Sequence, residues 1–89
     1  MTTPQSLELF RNSILRQLNA ALPASLTAET LALGLQIAGF AIDDSPLRAE
    51  LLYLEQKSLL EPVAKTLSTT PRYRLTATGR DYLQSEGLA

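Results

Sequence analysis

Apolar residues in this chain recur three and four positions apart, the spacing of one face of an α-helix. Leu7, Phe10, Ile14 and Leu18 form the first such line, with Glu8, Arg11, Asn12, Arg16 and Asn19 turned outward. Thr3 offers a capping oxygen, and Pro4 suits a first helical turn because its missing N–H has no intrahelical partner there. Pro23 ends the helix. Ser25–Leu26–Thr27 then reads as a short strand leading into a second cap at Thr27, and Leu26 and Leu31 occupy the two positions of a hydrophobic staple. A helix therefore starts near residue 28.

The next segment carries two periods at once. Leu31, Leu33, Leu35 and Ile37 alternate as in a strand, while the cap, the length and the alanine content favour a helix. Wound as a helix, it is apolar along two lines: Leu31, Leu35, Ala38 and Ile42 on one, Leu33, Ile37 and Phe40 on the other. A surface helix ordinarily shows one stripe. The favoured expectation is a helix buried among three others; the alternative covers the second stripe with another subunit or a partner. Gly34 permits close approach on either account, and Gly39 fits the residue just past a helix end.

A third helix opens at Asp43–Asp44–Ser45–Pro46, with Asp44 or Ser45 as its cap. Leu47, Leu51 and Leu54 form its inward line; Arg48, Ala49, Leu52, Tyr53 and Gln56 lie outward, and it ends near Lys57–Ser58. A hairpin follows, with strands at Leu59–Val63 and Tyr73–Leu75 and a turn at Ser68–Pro71. Pro62 confines its strand to a short or edge position. Arg72 and Arg74 share the face expected to stand in water, while Tyr73 and Leu75 pack down. Thr76 caps a last helix, Ala77–Ser85, whose Tyr82 and Leu83 pack back before Gly87 closes it.

Composition narrows the chemistry. Eighty-nine residues, 45% hydrophobic and 19% charged, make one small domain over residues 1–89. With no Cys and no His there is no disulfide framework, no ordinary zinc site and no histidine-activated nucleophile. Asp43–Asp44 is the only adjacent acidic pair and reads as a capping cluster, and glycines at 34, 39, 79 and 87 form no phosphate loop. No enzyme, metal or cofactor is expected. The N-terminus lacks a basic stretch followed by an apolar one, so a cytoplasmic location is the default.

The net charge of −1 is unevenly spread. Residues 1–61 carry four basic and seven acidic side chains, whereas residues 62–80 carry Lys65, Arg72, Arg74 and Arg80 and no acid. This is either a solvated hairpin or a phosphate-contacting one. The third helix gives such a hairpin little help, because Glu50 and Glu55 offset Arg48 and Lys57. An exposed Leu52 and Tyr53 would suit a protein partner equally well.

The order of elements, together with particular residues, resembles the winged-helix superfamily, especially small regulators of the MarR, ArsR and PadR kinds. Leu51, Leu54, Glu55 and Leu59–Leu60–Glu61 resemble the end of that superfamily's recognition helix and its first wing strand. Tyr73–Arg74–Leu75–Thr76 with Gly79 and Leu83 resembles the second wing strand entering the last helix. Ser58 departs from the pattern, standing where these families usually place glycine. Gly39–Phe40–Ala41–Ile42 and Arg48–Ala49–Glu50–Leu51 with Tyr53–Leu54 are also similar to small winged-helix proteins of Mu-like prophages, over roughly residues 26–83. The resemblance implies a mostly α fold with a small β-hairpin wing, ordered helix, short strand, helix, helix, strand, strand, helix. It also implies double-stranded DNA as partner, met by Arg48, Ala49, Tyr53 and Lys57 on the third helix and by Lys65, Arg72 and Arg74 on the wing. Leu33, Ile37, Phe40 and Leu52 would then serve a dimer or partner interface. Other members of the superfamily bind only protein, which is the alternative reading.

Overall fold

The elements follow in the expected order: α1 (Pro4–Ala21), β1 (Leu26–Thr27), α2 (Ala28–Ile37), α3 (Asp44–Gln56), β2 (Leu60–Lys65), β3 (Ser68–Leu75) and α4 (Ala77–Ser85). The structure, a computed structural model, describes residues 4–41, 43–65 and 68–89, and their side chains except at 4–6, 64, 65 and 68–70. The cap expected at Thr3 and the place of Ile42 in its line lie outside the described residues.

Three strands form one antiparallel sheet in the order β1-β3-β2. Pro62 lies on an edge strand, as its missing N–H requires. The hairpin is longer than its composition indicates. Ser68–Pro71, expected as the turn, belong to β3, with Lys65 opposite Ser68. Polar turn-forming residues here build a strand because it pairs with β2, and the irregularity between Val63 and Lys65 accommodates Pro71.

The core is aliphatic. Phe10, Ile14, Leu15 and Leu18 of α1, Leu31 and Leu35 of α2, and Leu47, Leu51 and Leu54 of α3 are all buried, closed by Leu60, Leu75 and Leu83. Leu15 joins the expected α1 line, because α1 is contacted by α2 and α4 and so buries a wider stripe. Tyr82 reaches α1 as expected, donating its hydroxyl proton to Asn12 Oδ1 at 2.7 Å.

The expectation for α2 is overturned in one respect. It is a helix, with Leu31 and Leu35 fully buried, but it is not enclosed: Leu33 is 61% and Ile37 87% exposed. Among the described residues, the rest of the fold covers one side of α2 only. Phe40 parts from this stripe, packing edge-on against Phe10 with ring centroids 5.6 Å apart.

Helix ends account for much of the topology. Thr27 and Thr76 accept hydrogen bonds from the backbone N–H groups of Thr30 and Gly79, fixing the starts of α2 and α4. The start of α3 departs from expectation: Asp43 is the cap residue, without a side-chain cap bond, and Asp44 and Ser45 are already helical. Helices α2, α3 and α4 close with the same paired bonds, Gly39 to Gln36 and Phe40 to Leu35, Ser58 to Glu55 and Leu59 to Leu54, Gly87 to Gln84 and Leu88 to Leu83. The left-handed residue in these closures is Gly39, Ser58 or Gly87 (φ 96, 62 and 71°), each followed by an apolar side chain. Ser58 therefore takes glycine's place and glycine's conformation, and the helix end is preserved.

Candidate nucleic-acid interface

Leu47, Leu51 and Leu54, each 1% exposed, fix which side of α3 faces the core. At roughly 100° per residue the opposite side is the row Ser45, Ala49, Leu52 and Gln56, and all four are exposed. Leu52 retains 54% of its surface. None of these side chains takes part in a hydrogen bond among the described residues.

Each flank of this row is anchored differently. Toward α1, Arg11 forms an ion pair with Glu50, whose side chains are 27% and 17% exposed. The same guanidinium lies 3.9 Å from the centroid of the Tyr53 ring, and the Lys57 ammonium lies 5.7 Å from it. Tyr53 is therefore drawn toward α1, away from the outer row. On the other flank Arg48 Nε donates to Asp44 Oδ2 at 2.7 Å, one helical turn back. That hydrogen bond and the charge of Asp44 raise the Arg48 guanidinium further above its ordinary pKa. Beneath the α1 flank runs a groove of about 450 Å³ lined by Arg11, Asn12, Tyr53, Lys57, Leu59 and Tyr82. Partial burial, with Glu86 and Glu8 nearby, pushes the Tyr82 hydroxyl up.

The wing arginines are less free than expected. Arg72 is half-buried and donates from Nε to Ser25 Oγ and from Nη2 to the Ser25 carbonyl, both at 2.9 Å. The expectation that it stands in water is corrected: pairing of Thr27 with Arg72 brings the start of β1 within its reach. Arg74 is exposed, but it faces Glu61 across the ladder and pairs with it at 2.7 Å. The excess positive charge of the hairpin is thus partly cancelled by an acid at its base. Lys65 lies in β2, and its side chain is outside the described residues.

Of the expected contacts, Arg48, Ala49, Lys57 and Arg74 are exposed; Tyr53 is only 36% exposed and stacked, and Arg72 is engaged in holding β1. Leu33, Ile37 and Leu52 are exposed apolar residues, whereas Phe40 packs inward. Arg11 was legible only as an outward residue of α1, since its partner lies 39 positions away. The Asp44–Arg48 spacing, by contrast, is a recognised helical ion-pair pattern and could have been read directly.

No family model matches the chain, and no curated protein matches it. Solved structures do. The chain superposes on a Thermoplasma acidophilum protein assigned as a transcriptional regulator with a TM-score of 0.75 at 15% identity, over 96% of this chain and 81% of that one. A PadR family transcription regulator from Clostridium difficile gives 0.70 at 15% identity, over 88% and 83%. A PadR-like transcription factor from Bacteroides fragilis gives 0.65 at 20% identity, over 93% and 84%. The fold is that of a winged helix, with the β2–β3 hairpin as its wing.

Proposed function

We propose that a winged-helix protein built in this way is a small DNA-binding regulator of transcription, with α3 in the major groove and β2–β3 against the backbone. The reading is carried by the exposed outer row of α3, which has Arg48 on one flank and Lys57 on the other, as a groove bounded by two phosphate strands requires. The proteins it resembles in fold are described as transcription regulators. No catalytic role is proposed.

Charge is modest, so the attraction to DNA is modest as well. Arg48 and Arg74 must exchange Asp44 and Glu61 for phosphate, and exposed pairs of this kind are worth little enough to be exchanged. Binding to mixed-sequence duplex is expected to weaken with salt at a slope set by about two to four phosphates, each contributing about −0.9. Arg74→Ala should flatten that slope by about one phosphate. Arg72→Ala should leave it unchanged and lower the melting temperature instead, because its hydrogen bonds hold β1. Fluorescence anisotropy across a salt series, beside thermal melting, reads both. Absence of binding at low salt would sink the proposal and leave a protein-binding module in its place.

The outer face of α2 supports a second copy as partner. Leu33 and Ile37, one turn apart, expose a continuous apolar strip with no cation on the helix to keep it in water. Sedimentation should show a dimer that dissociates on dilution and that Ile37→Lys abolishes. A concentration-independent monomer would refute this interface.

A further inference from the structure

If α3 enters the major groove, its own side chains determine what it can read there, and the row that faces outward is apolar at its centre, with polar groups only at its two ends, Ser45 and Gln56. Ala49 and Leu52 sit at its centre and offer no donor or acceptor. Arg48, the side chain best able to grip a guanine edge, lies on the flank of the row, one turn from Asp44, where the reading above engages it with the phosphate backbone. Tyr53 is held to the α1 flank beneath the Arg11 guanidinium, and Glu50 is engaged by the same group. Rotation of α3 to present any of these would break the Arg11 pair and lift Leu47, Leu51 and Leu54 from the core. The helix is thus fixed in a register whose centre shows DNA an aliphatic surface.

Among groove-edge groups, the thymine C5 methyl is the one that such a surface complements best, being the only alkyl group there among features that are mostly donors and acceptors. An unpaired donor or acceptor buried against Leu52 would lose its water without gaining a partner. Gln56, at the C-terminal end of the row, is the one amide there, and an amide matches the N6/N7 edge of adenine in two hydrogen bonds.

We propose that the duplex recognised by this protein is thymine-rich at its centre, read through C5-methyl groups by Leu52 and Ala49, with Gln56 placed for an adjacent adenine. This rests on the DNA-binding reading above and gives it a base preference. Arg11 acts in this scheme as a positioning residue, through Glu50 and Tyr53, and does not touch DNA.

The test is selection from a pool of random-sequence duplexes, after which the enriched duplex is remade with deoxyuridine in place of thymidine. That exchange deletes only the methyl groups. Affinity should fall about fourfold for each methyl contacted, the equivalent of one buried CH₂. In Leu52→Ala the ratio between thymidine and deoxyuridine duplexes should shrink toward one, which separates a methyl contact from a change in duplex stiffness. Arg11→Ala should weaken binding to the selected duplex without changing the salt slope, and Arg11→Lys should restore part of the loss. Equal affinity for the thymidine and deoxyuridine duplexes, or a selected site anchored on guanines, would overturn the inference while leaving DNA binding standing. If no duplex is bound at low salt, both fall together.

Discussion

Gly79→Ala is expected to lower the melting temperature by about 10 °C, although alanine is the better helix former. Gly79 is buried at the start of α4, where its N–H donates to Thr76 Oγ1. An added Cβ would stand 2.6 Å from Leu75 Cδ1 and 3.0 Å from the Leu59 carbonyl carbon, and nearer still to the carbonyl oxygen. The leucine tip can move; the Leu59 carbonyl cannot. It accepts from the Thr76 N–H, and the neighbouring Ser58 carbonyl accepts from the Thr76 hydroxyl at 2.6 Å, so both ends of the corner are tied. Forcing it open costs about 3 kcal/mol as overpacking, against about 1 kcal/mol gained in helix propensity, a net loss of about 2 kcal/mol. Helical circular dichroism followed through thermal unfolding measures the difference. An unchanged or raised melting temperature would show that α4 slides freely on this corner. Gly34 offers the contrast, because a Cβ there meets only the end of the Gln17 side chain, which can swing aside.

Leu51→Ala should cost about 3 kcal/mol, while Leu52→Ala should stay within about 0.5 kcal/mol. The two residues are adjacent and chemically identical. Leu51 is 1% exposed at the middle of the inward line of α3, between Leu47 and Leu54, so its removal leaves a cavity that a helix held on both sides cannot close. Leu52 is 54% exposed and loses little by truncation. Denaturant titration separates them: the Leu51→Ala midpoint falls with the slope preserved, and the Leu52→Ala curve overlays the parent. Similar losses at both positions would mean that α3 is rotated from the register described here. The pair also divides stability from recognition, since the base-reading role assigned to Leu52 requires a variant that folds normally.

Much of this architecture was written in local signals. Thr27 and Thr76 announced two helix starts, Gly39 and Gly87 two helix ends, and Leu47, Leu51 and Leu54 the buried side of α3. These features depend on residues within one or two turns of each other, which is the range over which capping and periodicity act. What escaped the sequence depends on tertiary placement. Whether Leu33 and Ile37 are covered is decided by which elements happen to reach that side of α2, and none among the described residues does. Arg72 looked like a surface charge because its partner, Ser25, becomes a neighbour only when β1 joins the sheet. The pairing of Arg74 with Glu61 follows from a register that no composition specifies. Ser58 is the instructive middle case. Its departure from glycine left the helix end open to question in the sequence, yet the apolar Leu59 behind it was already the mark of that closure.

The hydrogen bond from Tyr82 to Asn12 spans 70 positions of sequence, and it joins the last helix to the first. During synthesis α1 is made first, and its apolar stripe around Ile14, Leu15 and Leu18 stays incompletely covered until α4 has been made. Closing so large a loop comes late and is slow compared with winding any of the helices. A nascent chain halted within the wing would therefore expose the α1 stripe to chaperones, and a chain shortened before Tyr82 would offer the same surface to proteases.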